Sequence, residues 1–178
     1  MKTYVALLRG INLGSQKRVA MADLRGLFED LGAKDVATYV QSGNVVFKSA
    51  DGAKKLTEAI ERRIRRDLGL GVSVVVLTKA QLTKVLDGNP FAKAKKAQAT
   101  LHVTFLAEAP PRAKVGKLDP KHGRPDEFRV VGRQVYLHCP NGYGRSKLTN
   151  AHFEKQLGVA ATTRNWKTVT KLGELASS

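Results

Sequence analysis

The chain has 178 residues, of which 42% are apolar, and this composition is typical of a globular protein and unlike that of a disordered one. Lysine and arginine number 31 against 15 acidic residues, a formal net charge of +16, while the single cysteine excludes an internal disulfide framework and a cysteine-rich zinc site. Its longest strongly apolar stretch is far shorter than a membrane span and no signal peptide is recognisable, so we expect a cytoplasmic protein without a membrane partner.

The first part of the chain predicts the element order β-α-β-β-α-β of a ferredoxin-like unit. Its four expected strands cover residues 3–8, 36–40, 45–47 and 72–77. Helical spacing of apolar residues predicts one helix over 21–31 and a second that Asp51 caps and Gly69 ends. The turn between the middle strands falls at 42–44, because Gly43 tolerates a positive φ.

The second part begins after a linking helix that the residues 88–90, Gly-Asn-Pro, bring to an end. Its expected elements are a strand at 101–105, a short helix at 112–118, a hairpin of 128–131 and 134–138, a helix at 146–157, a strand at 159–163 and a last helix at 166–175. This order repeats that of the first part.

Two gapless alignments support the repeat. Residues 39–47 align on 128–136, which matches Gly43 to Gly132, and residues 72–85 align on 159–172. The predicted fold class is therefore α+β, with two ferredoxin-like units in tandem, the second shorter and followed by a C-terminal helix. The expected boundaries are 1–78 for the first unit, 79–98 for a linking helix and loop, and 99–178 for the second unit. Common ancestry of the units and shared turn chemistry are both consistent with the alignments.

Four short strings stand out beyond these elements. They are Leu-Leu-Arg-Gly-Ile-Asn at 7–12, Gln-Ser-Gly-Asn-Val-Val-Phe at 41–47, Tyr-Gly-Arg-Ser-Lys-Leu at 143–148 and Ala-Thr-Thr-Arg-Asn-Trp at 161–166. Together they resemble the bacterial family catalogued as domain of unknown function 1697, over nearly the whole chain. The resemblance implies a compact α+β protein with ferredoxin-like parts and no established activity.

The predicted topology groups the polar residues of these strings. The loop after the first strand and the 42–43 turn belong at one end of the first sheet, and the loop before the Ser146 helix and the loop after Thr163 belong together at the opposite end of the second. We therefore expect one cleft between the units as a ligand site. The candidate ligand-binding residues are Arg9, Asn12, Gln41, Ser42, Asn44, Tyr143, Arg145, Ser146, Lys147, Arg164 and Asn165.

Two interpretations of this set remain open. A glycine-rich, basic loop that opens a helix at Ser146 favours an anion, because free N–H groups at a helix N-terminus attract negative charge. The alternative is structural: Ser146 caps its helix, the glycines permit tight turns, and Arg9 and Arg164 brace the two units.

Stronger chemical templates are missing from the sequence. It contains no phosphate-binding G-x-x-x-x-G-K-[ST] string and no G-x-S-x-G string, and its four histidines lack metal-ligand spacing, so we expect no metal and no cofactor. Phe47 is the only aromatic residue in the third strand, where an RNA-recognition sheet carries several. Nucleic-acid binding would then depend on charge, would be independent of sequence and would weaken with salt.

The function that the sequence favours is the binding of an anionic or phosphate-bearing ligand, which includes the backbone of a nucleic acid. Two other classes remain as alternatives. One is an enzyme acting on a phosphorylated or carboxylated small molecule, with Tyr143, Ser146 or Lys147 as reactive groups. The other is a protein-interaction module with no ligand.

Overall fold

The computed structural model describes residues 1–15 and 17–178. The chain divides into two compact units, the first comprising Met1–Lys84 and Lys171–Ser178 and the second comprising Val85–Thr170. Residues of the expected linking segment 79–98 thus belong partly to the first unit and partly to the second. Within the part of the chain that is described, no helix combines the length and the apolar character needed to cross a membrane.

A four-stranded antiparallel sheet forms the centre of the first unit, with strand order β2-β3-β1-β4. Its elements are β1 (Lys2–Leu8), α1 (Met21–Asp30), β2 (Lys34–Tyr39), β3 (Asn44–Ser49), α2 (Ala53–Leu68), β4 (Val74–Thr78) and the start of α3 (Lys79–Asp87). Alternate residues of β1 and β3, such as Tyr4 and Phe47, form one core with the apolar faces of both helices. The two expected helices are thus present and cover this face of the sheet.

The helix α2 shows how local sequence produces this packing. Leu56, Ile60 and Ile64 recur at a spacing of four residues, and all three are buried, while most cationic residues of the helix are exposed. Gly69 ends the helix in the left-handed conformation with φ of 68°. The start differs from the prediction, because Gly52 occupies the cap position and makes no side-chain cap. The carboxylate of Asp51 instead accepts a hydrogen bond from Lys55 at 2.8 Å.

A second four-stranded antiparallel sheet, with strand order β6-β7-β5-β8, forms the centre of the second unit. Its elements are α4 (Pro90–Lys93), β5 (Leu101–Leu106), α5 (Arg112–Gly116), β6 (Glu127–Val131), β7 (Gln134–His138), α6 (Asn150–Leu157), β8 (Ala161–Asn165) and the start of α7 (Trp166–Ser177). Val135, Leu137 and Phe153 belong to its core. The hydroxyl of Tyr136 donates to the carbonyl of Val85, a residue of the same unit, at 2.9 Å.

The repeat predicted from 72–85 and 159–172 corresponds to real equivalence of elements. The strands β4 and β8 occupy the same positions within the two aligned segments, and each continues directly into a helix, at Lys79 and at Trp166. The hairpins differ, because four residues join β2 to β3 whereas Gly132 and Arg133 alone join β6 to β7. The chain is therefore α+β, with the same order of strands in both sheets.

Two differences in element bounds change where a candidate residue lies. The strand expected at 159–163 is Ala161–Asn165, which moves Arg164 from a loop into a strand. The helix expected to begin at Ser146 begins at Asn150, where the side chain of Thr149 accepts a hydrogen bond from the amide of His152 at 3.1 Å. The chain first makes a 3₁₀ turn over Tyr143–Arg145 and buries Leu148 completely, so the helix starts at the next capping residue.

Candidate functional site

Asn12 organises the loop that follows β1. Its amide Nδ2 donates to the carbonyls of Val19, at 3.0 Å, and Gln41, at 2.7 Å, while its Oδ1 accepts from the amide of Val19 at 2.7 Å. The residue has a positive φ of 56°, which asparagine tolerates better than most residues. All three side-chain bonds join loop and hairpin backbone, so Asn12 acts as a structural brace in the first unit.

The hairpin between β2 and β3 packs against the end of β1, as the topology predicts. The carbonyl of Gly43 accepts from the amide of Leu8 at 2.9 Å. Asn44 is fully buried, and its Nδ2 donates to the carbonyl of Tyr39 and to the hydroxyl of Ser42, both at 2.9 Å. The structure thus brings Asn12, Gln41, Ser42 and Asn44 together at one end of the sheet. Arg9 lies there too, half-buried, with its amide bonded to the carbonyl of Ser73.

The polar candidates of the second unit lie at the opposite end of their sheet, around Thr163. Its hydroxyl donates to Oδ1 of Asn150 at 2.6 Å and accepts from the hydroxyls of Tyr143, at 3.2 Å, and Thr104, at 2.7 Å. The register explains the grouping, because the start of β5 pairs with the end of β7 on one side and with the end of β8 on the other. Tyr143, Arg164 and Asn165 therefore share one end of the sheet.

Arg164 is 7% exposed and belongs to β8. Its Nη1 donates to the hydroxyl of Thr162 at 2.6 Å and to the carbonyl of Thr163 at 3.0 Å. Burial lowers the pKa of Arg164 to about 10, so the guanidinium keeps its proton at neutral pH and its charge has been removed from water at a cost. Its polar contacts within the strand make Arg164 a buried structural group and not a loop cation.

Two loops of the second unit enclose a cavity of about 250 Å³, which we call the basic pocket. Its lining residues come from loops 123–126 and 141–147 and are Gly123, Arg124, Pro125, Asp126, Asn141, Gly142, Arg145 and Lys147. Arg145 and Lys147 are among the ligand-binding candidates predicted from the sequence, whereas Arg124 is not. The two loops meet because Gly123, with φ of 80°, lies against Leu148, where a Cβ would be 3.3 Å from the leucine side chain. No pattern along the sequence predicts that contact.

The electrostatics of the basic pocket favour an anion. Arg124, Arg145 and Lys147 are exposed, and among residues 1–15 and 17–178 no carboxylate lies within salt-bridge distance of any of them. Asp126, which is 7% exposed, supplies one negative charge to the same lining. Three cations against one carboxylate leave a net positive cavity, whose guanidinium groups offer paired donors that match phosphate or carboxylate oxygens.

Local bonds hold the 141–147 loop in one conformation. Gly142 adopts φ of 91° and its amide donates to the carbonyl of Cys139 at 3.0 Å. The hydroxyl of Ser146 accepts from the amide of Leu148 at 3.0 Å and from the thiol of Cys139 at 3.8 Å. Ser146 therefore stabilises a turn and does not cap a helix. Burial raises the pKa of Cys139 to about 11, so this thiol is neutral at physiological pH.

Both a protein family and a solved structure match this chain. Residues 1–136 match the family described as "Protein of unknown function (DUF1697)". The protein belongs to this family. A solved structure of a conserved bacterial protein from Streptococcus pneumoniae is similar, with a TM-score of 0.74, 23% identity and coverage of 98% of each chain. Among the curated proteins, none matches this chain.

The DUF1697 resemblance is thus confirmed, and at 23% identity the structural likeness concerns the fold alone. The matched residues end before the 141–147 loop, so the basic pocket lies partly beyond them. No cluster of three or more metal-ligating side chains occurs in the described portion of this DUF1697 protein.

Two histidines of this DUF1697 protein stack beside the basic pocket. The rings of His122 and His152 are parallel, with centroids 3.9 Å apart, and Nε2 of His122 donates to the carbonyl of Lys147 at 3.3 Å. Burial, and then the charge of His122, lower the pKa of His152. In the unfolded chain a histidine takes up its proton at a pH of about 6.5, whereas the lowered pKa keeps His152 neutral there in the folded state. The folded state therefore loses stability as the pH falls through that value.

We therefore expect His152→Phe to reduce the pH dependence of stability. Phenylalanine keeps an aromatic ring against His122 and Phe153 but cannot be protonated. The drop in Tm between about pH 7.5 and about pH 5.5, measured by thermal denaturation, should be smaller than in the parent protein. His102, whose pKa burial also lowers, still contributes in both proteins. An unchanged drop would contradict the role given to His152.

Proposed function

We propose that this protein binds an anionic, phosphate-bearing ligand in the basic pocket of its second unit. The observation that carries the proposal is the grouping of Arg124, Arg145 and Lys147 around one cavity of about 250 Å³. The phosphate belongs either to a small molecule or to the backbone of a nucleic acid, which present the same group to the pocket. The cleft shared by both units, expected from the sequence, stays a prediction.

The arrangement suits a phosphate group for two reasons. Arginine presents its donors in a planar fork that can bind two oxygens, and lysine adds a compact charge, so three side chains can satisfy several oxygens at once. The loop that carries Arg145 and Lys147 is already held by the bonds of Gly142 and Ser146, and a preorganised loop loses little entropy on binding.

The fold and the overall charge are consistent with this proposal. The order β2-β3-β1-β4 and its counterpart β6-β7-β5-β8 support a tandem of ferredoxin-like units, each with the β-α-β-β-α-β element order. A net charge of +16 raises the local concentration of anions and accelerates their encounter with the pocket. Such a field acts on any phosphate, so the pocket has to supply the selectivity.

The test is a pair of charge-matched double variants. Arg145→Ala with Lys147→Ala removes two pocket cations, and Lys54→Ala with Arg65→Ala removes two exposed cations from α2. We expect the pocket variant to bind inorganic phosphate at least about tenfold more weakly in calorimetric titration, because each lost charge-assisted bond contributes roughly 1.5 kcal/mol or more. The α2 variant should bind nearly as the parent protein does.

A single-stranded oligonucleotide distinguishes the two sources of phosphate. If a nucleic-acid backbone occupies the pocket, affinity should fall steeply with salt, and the pocket variant should lower the slope of log K against log salt by about two. If only inorganic phosphate binds, the ligand is a small molecule. Equal losses in the pocket variant and the α2 variant would contradict the proposal, since the effect would then come from net charge alone.

A further inference from the structure

A second cavity of the second unit, of about 360 Å³, has different chemistry from the basic pocket. We call it the His102 cavity, and its lining residues are Gln98, Ala99, His102, Asn165 and Lys167. It lies where β5 begins and β8 ends, since His102 pairs with Asn165 in the sheet register. It therefore includes the end of the 161–166 string, which the proposed phosphate site does not use.

The imidazole of His102 is held in place from one side. Its ring stacks on Tyr143, with centroids 4.8 Å apart and 23° between the planes. The hydroxyl of Tyr143 is in turn bonded to Thr163, so the stack has a rigid support. Burial lowers the pKa of His102. The ring is neutral at neutral pH and has an apolar face, while its Nδ1 is buried.

Asn165 presents a donor to the same cavity. Its Oδ1 accepts from the amide of Thr168 at 2.8 Å, which fixes the orientation of the side-chain amide at the start of α7. The residue is exposed, and Nδ2 makes no hydrogen bond within the described residues. Lys167 adds the only cation of the lining and Gln98 a second amide, both on exposed side chains.

We propose that the His102 cavity binds a small organic carboxylate, with Lys167 and the amide of Asn165 at its oxygens and its carbon skeleton against Ala99 and the imidazole of His102. One cation and two amides match the single charge and the two oxygens of a carboxylate. The three cations of the basic pocket instead match a phosphate, so the two cavities select different ligands. This proposal does not depend on the phosphate site.

The test uses acetate as the probe and the ring resonances of His102 as the signal. We expect acetate to shift the His102 resonances saturably in ¹H–¹³C spectra at neutral pH, and to leave those of His138, a buried histidine of the same unit, in place. Asn165→Asp keeps an acceptor for the amide of Thr168 but replaces the donor by a negative charge. It should raise the Kd for acetate at least about tenfold.

Matched lysine variants separate the site from general charge. Lys167→Gln should weaken acetate binding about fivefold, whereas Lys155→Gln, which removes the same charge from α6, should leave it unchanged. Circular dichroism establishes that each variant is folded. Absence of a saturable shift, equal losses in the two lysine variants, or tighter binding of inorganic phosphate than of acetate at His102 would overturn the proposal. Loss of Arg145 and Lys147 should not alter the His102 titration, so failure of either site is separately visible.

Discussion

Gly43→Ala is expected to destabilise the first unit by about 3 kcal/mol, which is a large fraction of the stability of a typical domain. A Cβ at this position would lie 2.8 Å from Cβ of Leu8 and 2.9 Å from Cδ1 of Ile11, both of which are buried. The residue also has φ of 86°, a conformation that side chains other than glycine rarely adopt. The close approach occurs where the hairpin bonds to the end of β1, so the hairpin must shift.

Gly10→Ala is the matched control for this substitution. Gly10 has φ of 68°, but a Cβ there would meet nothing within 4 Å. We expect its cost to be about 1 kcal/mol, from backbone conformation alone. Denaturant unfolding of both variants measures the difference, which isolates the steric contribution. Equal losses of unfolding free energy would show that the hairpin relaxes around the new methyl group.

Arg164→Ala is expected to destabilise the second unit by about 3 kcal/mol. The substitution leaves the hydroxyl of Thr162, a residue that is 1% exposed, without the guanidinium it binds at 2.6 Å. It also removes the aliphatic stem of a side chain that is almost wholly buried. Chemical denaturation monitored by the fluorescence of Trp166 provides the measurement.

Arg164→Met distinguishes packing from hydrogen bonding at this position. Methionine fills much of the same volume and removes a charge that burial disfavours, as the lowered pKa of about 10 indicates. We expect it to lose less unfolding free energy than Arg164→Ala. If Arg164→Ala unfolds with the free energy of the parent protein, Arg164 has no structural role and the interpretation of it as a buried brace is wrong.

The candidate residues divide between the two interpretations that the sequence left open. Asn12, Asn44, Ser146 and Arg164 have side chains bonded to neighbouring backbone or hydroxyl groups, which favours a structural role for them. Arg145 and Lys147 instead project from a loop into a cavity. The sequence could not separate these groups, because an asparagine or an arginine has the same donors whether its partners are carbonyls of the fold or oxygens of a ligand.

The spacing of apolar residues along the sequence predicted the helices and strands well, but it predicted their first and last residues less well. The spacing of Leu56, Ile60 and Ile64 was sufficient to predict α2, because it places all three apolar side chains on one face of a helix, where they can be buried together. The predicted start of α6 was wrong by four residues. Ser146 and Thr149 are both good caps, and the chain uses Thr149, after a non-helical segment in which Leu148 is completely buried.

The α+β class, the order of strands and helices in both units and the family could all be predicted along the chain, because they follow from periodicity, turn residues and short strings. Three features became visible only in the folded chain: Arg124 joins Arg145 and Lys147, Arg164 is buried in β8, and His102 faces a cavity with Asn165. Each of these depends on contacts between segments far apart in the chain. Such contacts are set by strand register and by the packing of side chains such as Leu148 against Gly123, which no local pattern encodes.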